Sequence, residues 1–126
     1  MEERRRVLIV DDDPAVLRTL SRMLGEDCEA LTAASASEGL DIARQELLDL
    51  AIIDVVMPGM DGRTLASALR EGALTRDIPI LMLTGLSGPE ARFEGFAAGA
   101  DAYMTKPFDG DSLWASAHRL MAGGSI

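Results

Sequence analysis

The 126-residue chain is short enough to form a single domain, and 48% of its residues are hydrophobic, which suffices for a buried core. Its formal charge of −9 excludes a domain that holds a nucleic-acid backbone by itself, because such binding needs clustered Lys and Arg. The acidic balance favours divalent cations and basic protein surfaces as partners. No apolar run approaches the ~20 residues that cross a membrane, and the charged start has no signal-peptide core. We therefore expect a cytoplasmic protein.

Five short apolar runs alternate with amphipathic stretches along the chain. The runs are bounded by Asp, Gly, Pro or Ser, as strands usually are. Three of them are apolar on successive residues, which is typical of strands buried on both faces of a parallel sheet. We predict strands at residues 7–10, 30–34, 50–53, 78–83 and 102–104.

The stretches between the runs predict five helices. In the first, apolar residues follow one helix face from Val16 to Leu24, and Pro14 suits the first turn. The second opens with a capping box at residues 35–38 and runs through Leu47. The third helix is expected at 62–70. The fourth is expected to follow a cap formed by residues 87–90 and carries Phe93, Phe96 and Ala97. The fifth is expected to begin near Asp111, with an apolar face formed by Leu113, Ala117, Leu120 and Met121.

Five strands alternating with five helices predict a doubly wound α/β domain, a three-layer (βα)5 arrangement around a five-stranded parallel sheet. We assign residues 1–122 to this domain and residues 123–126 to a tail or linker stub. Ligand sites in such folds lie beyond the carboxyl ends of the strands. Those ends are therefore where functional side chains are expected.

Four of the predicted strands end in polar residues of complementary chemistry. The first is followed by Asp11–Asp13, the third by Asp54 and the fifth by Lys106, while the fourth ends in Thr84. Clustered carboxylates repel one another unless a cation is present, and Mg²⁺ binds one or two carboxylates together with phosphate oxygens. A carboxylate with a metal, a hydroxyl and an ammonium beside it meets the requirements of a nucleophile that attacks phosphorus.

The same segments resemble the receiver domains of two-component response regulators, and the similarity covers essentially the whole chain. The resemblance rests on an acidic opening strand, a phospho-acceptor segment, a strand with a switch hydroxyl and a strand with a lysine. These motifs occupy residues 7–14, 50–62, 80–85 and 100–108.

The resemblance implies a role for each carboxylate. Asp54 would be phosphorylated by a sensor histidine kinase, a phosphotransfer protein or a small phosphodonor. Asp12 would ligate Mg²⁺ directly, together with Asp54 and the backbone carbonyl of Val56, and Asp11 would act through a water molecule.

The resemblance also implies a switch. Lys106 would contact the phosphoryl oxygens, and the Lys106–Pro107 bond would be cis. Thr84 would move toward the phosphoryl group and Tyr103 would rotate inward, which would change the face formed by the fourth helix, fifth strand and fifth helix. That face would control an output domain or a partner protein, with phosphorylation-dependent dimerisation as one outcome.

Three positions bear on finer properties. Val56 and Leu86, each two residues after a site residue, are apolar where relatives with polar side chains place a hydrolytic water, so we hypothesise a long-lived phosphate on Asp54. Ser116 stands where many DNA-binding relatives carry a basic residue used in dimerisation, which argues against that type of dimer.

Three further residues are expected to have structural or surface roles rather than chemical ones. We expect the lone Cys28 to be buried in a reducing compartment. His118 is expected to lie on the surface rather than to transfer phosphate. Trp114 lies off its helix's apolar stripe, which predicts a partly buried edge residue or an exposed partner anchor.

Two other functions compete with the receiver hypothesis. A phosphohydrolase of the haloacid-dehalogenase type would use Asp11 as the nucleophile and Asp13 as the acid/base, but it leaves residues 54–62 unexplained. A receiver-like binding module that works without phosphorylation usually lacks one of the acidic, Thr or Lys residues, and all are present here.

Overall fold

The computed structural model describes residues 4–123. Strands and helices alternate throughout this range. In chain order they are β1 (Arg5–Val10), α1 (Pro14–Leu24), β2 (Cys28–Ala33), α2 (Ala36–Gln45), β3 (Leu50–Ile53), α3 (Gly62–Glu71), β4 (Ile80–Thr84), α4 (Pro89–Ala98), β5 (Ala102–Thr105) and α5 (Gly110–Met121).

The five strands form one parallel sheet in the order β2-β1-β3-β4-β5. The chain leaves β1 toward β2 and then crosses back to β3, so the direction of winding reverses between β1 and β3. Ligands of such sheets bind outside the carboxyl ends of the strands at this reversal. The predicted doubly wound α/β fold is confirmed.

Two hydrophobic clusters cover the two faces of the sheet. Alternate residues of β1 illustrate this, because Leu8 and Val10 pack with α2 and α3 whereas Val7 and Ile9 pack with α1 and α5. All four side chains are buried. Burial on both faces explains why the central strands are apolar on successive residues.

Most element boundaries differ from the predictions by one or two residues, and two of the differences have a clear local cause. Helix α2 ends at Gln45 rather than Leu47, because Glu46 has extended backbone angles, and the Leu47 side chain is 85% exposed. Strand β4 begins at Ile80 rather than Ile78. Pro79 lies between them and has no N–H to donate to a neighbouring strand.

Helix α4 departs most from its predicted form. Its capping residue is Gly88, at a positive φ of 98°, which lies within the predicted cap, but no side chain accepts a hydrogen bond from the first turn. Only Gly95 is buried, whereas Phe93 is 73% exposed. Phe93 lies two residues from Gly95, or about 200° around the helix axis, and therefore points away from the sheet.

Residues 124–126 of the proposed tail lie outside the described residues, and the division at residue 122 stays a prediction. None of the helices between residues 4 and 123 is long and apolar enough to cross a membrane.

Candidate functional site

Backbone hydrogen bonds that continue the strand pairing bring the polar residues together at the carboxyl ends of the strands. The Asp54 N–H donates to the carbonyl of Val10 (2.9 Å), which places the residue after β3 beside the end of β1. The Lys106 N–H donates to the carbonyl of Thr84 (2.8 Å), which does the same for β5 and β4. Asp11 donates its own N–H to a β2 carbonyl. The residues predicted at four strand ends thus share one edge.

The Lys106 side chain connects the two buried carboxylates of this edge. Its Nζ lies 2.6 Å from Oδ2 of Asp11 and 3.1 Å from Oδ2 of Asp54. Both aspartates are buried, whereas Asp12 beside them is exposed. One ammonium group therefore serves two buried carboxylates.

The pKa values of Asp11 and Lys106 reflect this shared pairing. Burial raises the pKa of the Asp11 carboxyl, the charge of Asp54 adds to the rise, and the hydrogen bond from Lys106 only partly offsets it. Burial alone would lower the pKa of Lys106, but hydrogen bonds to both carboxylates outweigh it and the net pKa is raised. The site holds more negative charge than Lys106 balances.

Carboxylate oxygens of Asp11, Asp12 and Asp54 lie within 4.8 Å of one another. A hard divalent cation prefers oxygen ligands of this kind, and Mg²⁺ binds through few carboxylates while it keeps waters. Burial and the charge of Asp54 disfavour the ionised form of Asp11 and so raise its pKa, and a bound cation would offset both effects. These three residues fit a Mg²⁺ site.

Asp13, the third member of the acidic triplet, has a different task. Its Oδ1 accepts a hydrogen bond from the N–H of Ala15 at the start of α1 (2.9 Å), and its own N–H donates to Oδ1 of Asp11 (2.9 Å). It is therefore the N-cap of α1. A role for Asp13 as a catalytic acid, as in a phosphohydrolase, finds no support in this geometry.

Helix α3 packs directly on the backbone of Asp54. A Cβ atom on Gly62 would lie 2.1 Å from the Asp54 carbonyl oxygen, so only glycine permits this approach. Asp61 caps the helix by accepting hydrogen bonds from the N–H groups of Arg63 (2.8 Å) and Thr64 (3.0 Å). Sequence reasoning assigned no function to Asp61 and Gly62, although an Asp-Gly pair before an apolar helical stretch was a usable signal.

Thr84 and Tyr103 are joined through the backbone of Leu86. The Thr84 hydroxyl, which is fully buried, accepts a hydrogen bond from the Leu86 N–H (3.3 Å). The Tyr103 hydroxyl donates to the Leu86 carbonyl (2.9 Å). This link between the two residues was not foreseen, because it uses peptide groups that carry no sequence signature.

The Tyr103 ring is buried beneath α4. A Cβ on Gly95 would lie 2.8 Å from two ring carbons, so the glycine allows the helix to rest on the ring. The Arg92 guanidinium lies 5.6 Å from the ring centroid, and its Nη1 donates to the Tyr103 carbonyl (3.3 Å). The position of Tyr103 and that of α4 are therefore coupled.

The remaining predicted residues are placed as follows. The Val56 N–H donates to Oδ1 of Asp54 (3.3 Å), and its side chain is 57% exposed. Leu86 is 37% exposed. The Lys106–Pro107 peptide bond is cis.

Cys28, His118 and Trp114 lie outside the acidic site. Cys28 is a buried free cysteine, and burial raises the pKa of its thiol. His118 is exposed, and its ring centroid lies 4.4 Å from that of Trp114. Trp114 is partly buried against the α1–α5 side of the core, as expected of an edge residue.

The sequence model of the response regulator receiver domain family matches residues 7–118 of the chain. The chain belongs to this family. Asp11, Asp12, Asp54, Thr84 and Lys106 all lie within the matched range. The phosphohydrolase alternative is set aside, because the whole fold and not only an Asp-x-Asp motif follows the receiver family.

Known receivers agree in sequence and in fold. The DNA-binding dual master transcriptional regulator RpaA of Synechocystis is 40% identical over 92% of this chain, which covers 48% of RpaA. Response regulator PleD of Caulobacter vibrioides is 38% identical over 91% of this chain and 26% of PleD. The chain thus spans about half or less of these relatives. A putative response regulator from Chloroflexus aurantiacus has a TM-score of 0.90 at 40% identity, with 95% of this chain and 99% of that structure covered.

Proposed function

We propose that this receiver accepts a phosphoryl group on Asp54 from a sensor histidine kinase or a phosphotransfer protein and switches a partner or output domain. The observation that carries the proposal is the position of Asp54, a buried carboxylate 3.1 Å from the Lys106 ammonium and inside a cluster of three aspartates. The receiver would catalyse only the gain and loss of its own phosphoryl group and would not act as an enzyme on other substrates.

In the phosphorylation step, an Oδ atom of Asp54 forms a bond to phosphorus as the bond from phosphorus to the donor nitrogen or oxygen breaks. The donor leaves with that electron pair and takes up a proton. Lys106, already beside Oδ2 of Asp54, would hold a phosphoryl oxygen and offset its charge. The Thr84 hydroxyl would donate to a second oxygen.

Mg²⁺ is proposed to be held directly by Asp12, Asp54 and the carbonyl of Val56, and by Asp11 through a water molecule. When bound, the ion supplies charge neutralisation between the carboxylates and the incoming phosphoryl oxygens. Asp11 keeps its hydrogen bond to Lys106 in this arrangement and so positions the ammonium group.

The readout is proposed to pass through Leu86. Movement of the Thr84 hydroxyl toward the phosphoryl group would break its hydrogen bond with the Leu86 N–H, and Leu86 also accepts from Tyr103. A local charge change would therefore release a loop that contacts Tyr103, and Tyr103 supports α4. The α4-β5-α5 face would then change its shape for an output domain, a partner protein or a second copy.

Phosphorylation of Asp54 is tested by incubating wild type and Asp54→Asn with acetyl phosphate and Mg²⁺. We expect wild type to gain the mass of one phosphoryl group and Asp54→Asn to gain none, because the amide is not nucleophilic. Asp41→Asn, which alters an exposed aspartate on α2, is the matched control and should behave as wild type. Intact mass spectrometry reads the result.

Two outcomes would contradict the proposal. Absence of phosphorylation of wild type by any donor would favour the phosphorylation-independent binding module. Equal mass gain in Asp54→Asn would place the acceptor elsewhere. The kinase, the output partner, dimerisation and a cytoplasmic location stay predictions.

A further inference from the structure

Helix α4 rests on the rest of the domain through a small apolar surface and several polar contacts. Only Gly95 is fully buried, with Ala91 and Ala98 partly buried against the core, whereas α3 buries Gly62, Leu65, Ala66 and Leu69. Helix α4 also has no side-chain cap at its first turn. Because apolar burial supplies most of the stability of a docked helix, the polar contacts of α4 have an unusually large share in fixing its position.

At its C-terminal end, α4 is fixed by Arg70 of α3. The Arg70 guanidinium donates twice to the Gly99 carbonyl (3.1 and 2.7 Å), once to the Ile78 carbonyl (2.7 Å) and once to Oδ2 of Asp101 (2.8 Å). Asp101 in turn accepts from the backbone of β4. This end of the helix is therefore tied to α3, to the loop before β4 and, through Asp101, to β4 itself.

The middle of α4 has a single ionic tie to α3. The Arg63 guanidinium forms a salt bridge with Glu94, and both side chains are partly exposed. Arg63 follows Gly62, the residue whose close packing fixes the start of α3 against the Asp54 carbonyl. One end of the Arg63–Glu94 pair is therefore anchored to the phospho-acceptor backbone, and the other end lies on the helix that rests on Tyr103.

We propose that the Arg63–Glu94 salt bridge is a latch that holds α4 against α3 in the unphosphorylated receiver. The inference rests on the proposed function. When the Thr84, Leu86 and Tyr103 contacts rearrange, α4 would turn about the end held by Arg70, and its middle would move away from α3. The latch is then broken in the switched state, because Arg63 stays with α3.

A contact present in only one of two states opposes the transition by its own free energy. Loss of the latch should therefore raise the affinity of the receiver for a phosphoryl mimic. Partly exposed ion pairs have modest strengths, so the expected gain is about twofold to fivefold. The latch would set the threshold of the switch without contacting the phosphoryl group.

The test is a mutant cycle of Glu94→Gln, Arg63→Gln and the double variant, with Mg²⁺ and beryllofluoride as the phosphoryl mimic. Amide hydrogen exchange of peptides from residues 89–98 reports both the opening of α4 in the free protein and the midpoint of the beryllofluoride titration. We expect faster exchange in the free single variants, midpoints lowered about twofold to fivefold, and no further change in the double variant.

Glu46→Gln is the matched control. Glu46 forms a comparable partly exposed salt bridge with Arg6 (3.0 Å), but at the other edge of the sheet, and its loss should leave the midpoint unchanged. Glu94→Gln is the cleaner single change, because Arg63 also contacts Asp61 at the cap of α3. Urea unfolding of each variant separates a general loss of stability from a shift of the switch.

The outcomes separate the two proposals. Wild type that binds beryllofluoride beside variants with an unchanged or raised midpoint would overturn the latch alone, even where exchange is faster. Effects of the two single changes that simply add would show that Arg63 and Glu94 act independently and would also overturn it. A wild type that does not respond to beryllofluoride would overturn the proposed function, and the latch with it.

Discussion

Lys106 decides the charge balance of the site. It is the one cation in contact with the buried carboxylates of Asp11 and Asp54 among the described residues, and its pKa is raised by both. A single ammonium cannot neutralise two carboxylates and an added phosphoryl group. The site therefore combines a fixed positive charge with three carboxylates that fit a divalent ion, which is the arrangement that the proposed phosphoryl transfer requires.

Val56 and Leu86 provide a test of the predicted lifetime of the Asp54 phosphate. Val56 contacts Asp54 through its backbone and Leu86 contacts Thr84, both side chains are at least partly exposed, and neither side chain can hydrogen-bond a water molecule. We expect Val56→Asn to shorten the lifetime of the Asp54 phosphate by about tenfold, because an amide could position a water for attack. The decay is measured by intact mass after removal of the phosphodonor.

Leu47→Asn is the control for that experiment, because Leu47 is an exposed leucine at the end of α2 and far from β3's carboxyl end. It should decay as wild type does. A wild-type phosphate half-life of only seconds, with no phosphatase present, would contradict the hypothesis of a long-lived phosphate.

Among the helices, α3 is the one that packs on the backbone of Asp54, and α4 is the one with the fewest buried residues. Helix α3 is capped by Asp61, buries an apolar face and touches the Asp54 carbonyl through Gly62. Helix α4 has no side-chain cap and exposes Phe93. The two neighbouring helices thus differ in how much of their surface is covered by the core.

The contact between α3 and Asp54 predicts a strong effect of Gly62→Ala. The added Cβ would lie 2.1 Å from the Asp54 carbonyl oxygen, so the helix or the acceptor must shift. We expect a loss of about 1–3 kcal/mol in the free energy of unfolding, as for other overpacked sites. The displaced acceptor should also be phosphorylated more slowly.

Gly110→Ala is the matched control in urea unfolding and acetyl phosphate assays. A Cβ at Gly110 would meet only the flexible end of Met23 at 3.4 Å, so both properties should stay near wild type. Stability and phosphorylation of Gly62→Ala equal to those of wild type would contradict the close packing of α3 on the Asp54 backbone.

The acidic site also affects the stability of the whole domain. An ion that binds only the folded protein stabilises it by about 2.7 kcal/mol at 100 times its dissociation constant. We expect Mg²⁺ to raise the Tm of wild type by several degrees and to have much less effect on Asp12→Asn. Thermal unfolding with and without millimolar Mg²⁺ measures the difference.

Asp13→Asn is the control for the metal site. Asp13 is the neighbour of Asp12 but caps α1, and asparagine caps helices about as well as aspartate. This variant should keep the Mg²⁺ effect. A Tm of wild type that does not change with millimolar Mg²⁺ would show that the three carboxylates do not form the proposed site.

The sequence determined the fold class and the grouping of Asp11, Asp12, Asp54, Thr84 and Lys106. Apolar runs of strand length indicated a buried parallel sheet, and parallel strands bring their carboxyl ends to one edge. A local pattern of residues suffices for both conclusions, because the strand period and the direction of the chain fix where each polar residue emerges.

Only the tertiary structure decided how α4 is held and how the site residues are linked. The sequence placed Phe93, Phe96 and Ala97 on α4 as its apolar residues, yet the helix turns Gly95 to the sheet, where a Cβ atom would lie 2.8 Å from the Tyr103 ring. The link through the Leu86 peptide and the Arg63–Glu94 pair joins residues that are distant in sequence. Such contacts depend on the packing of one helix against another, and a pattern within a single helix does not contain that information.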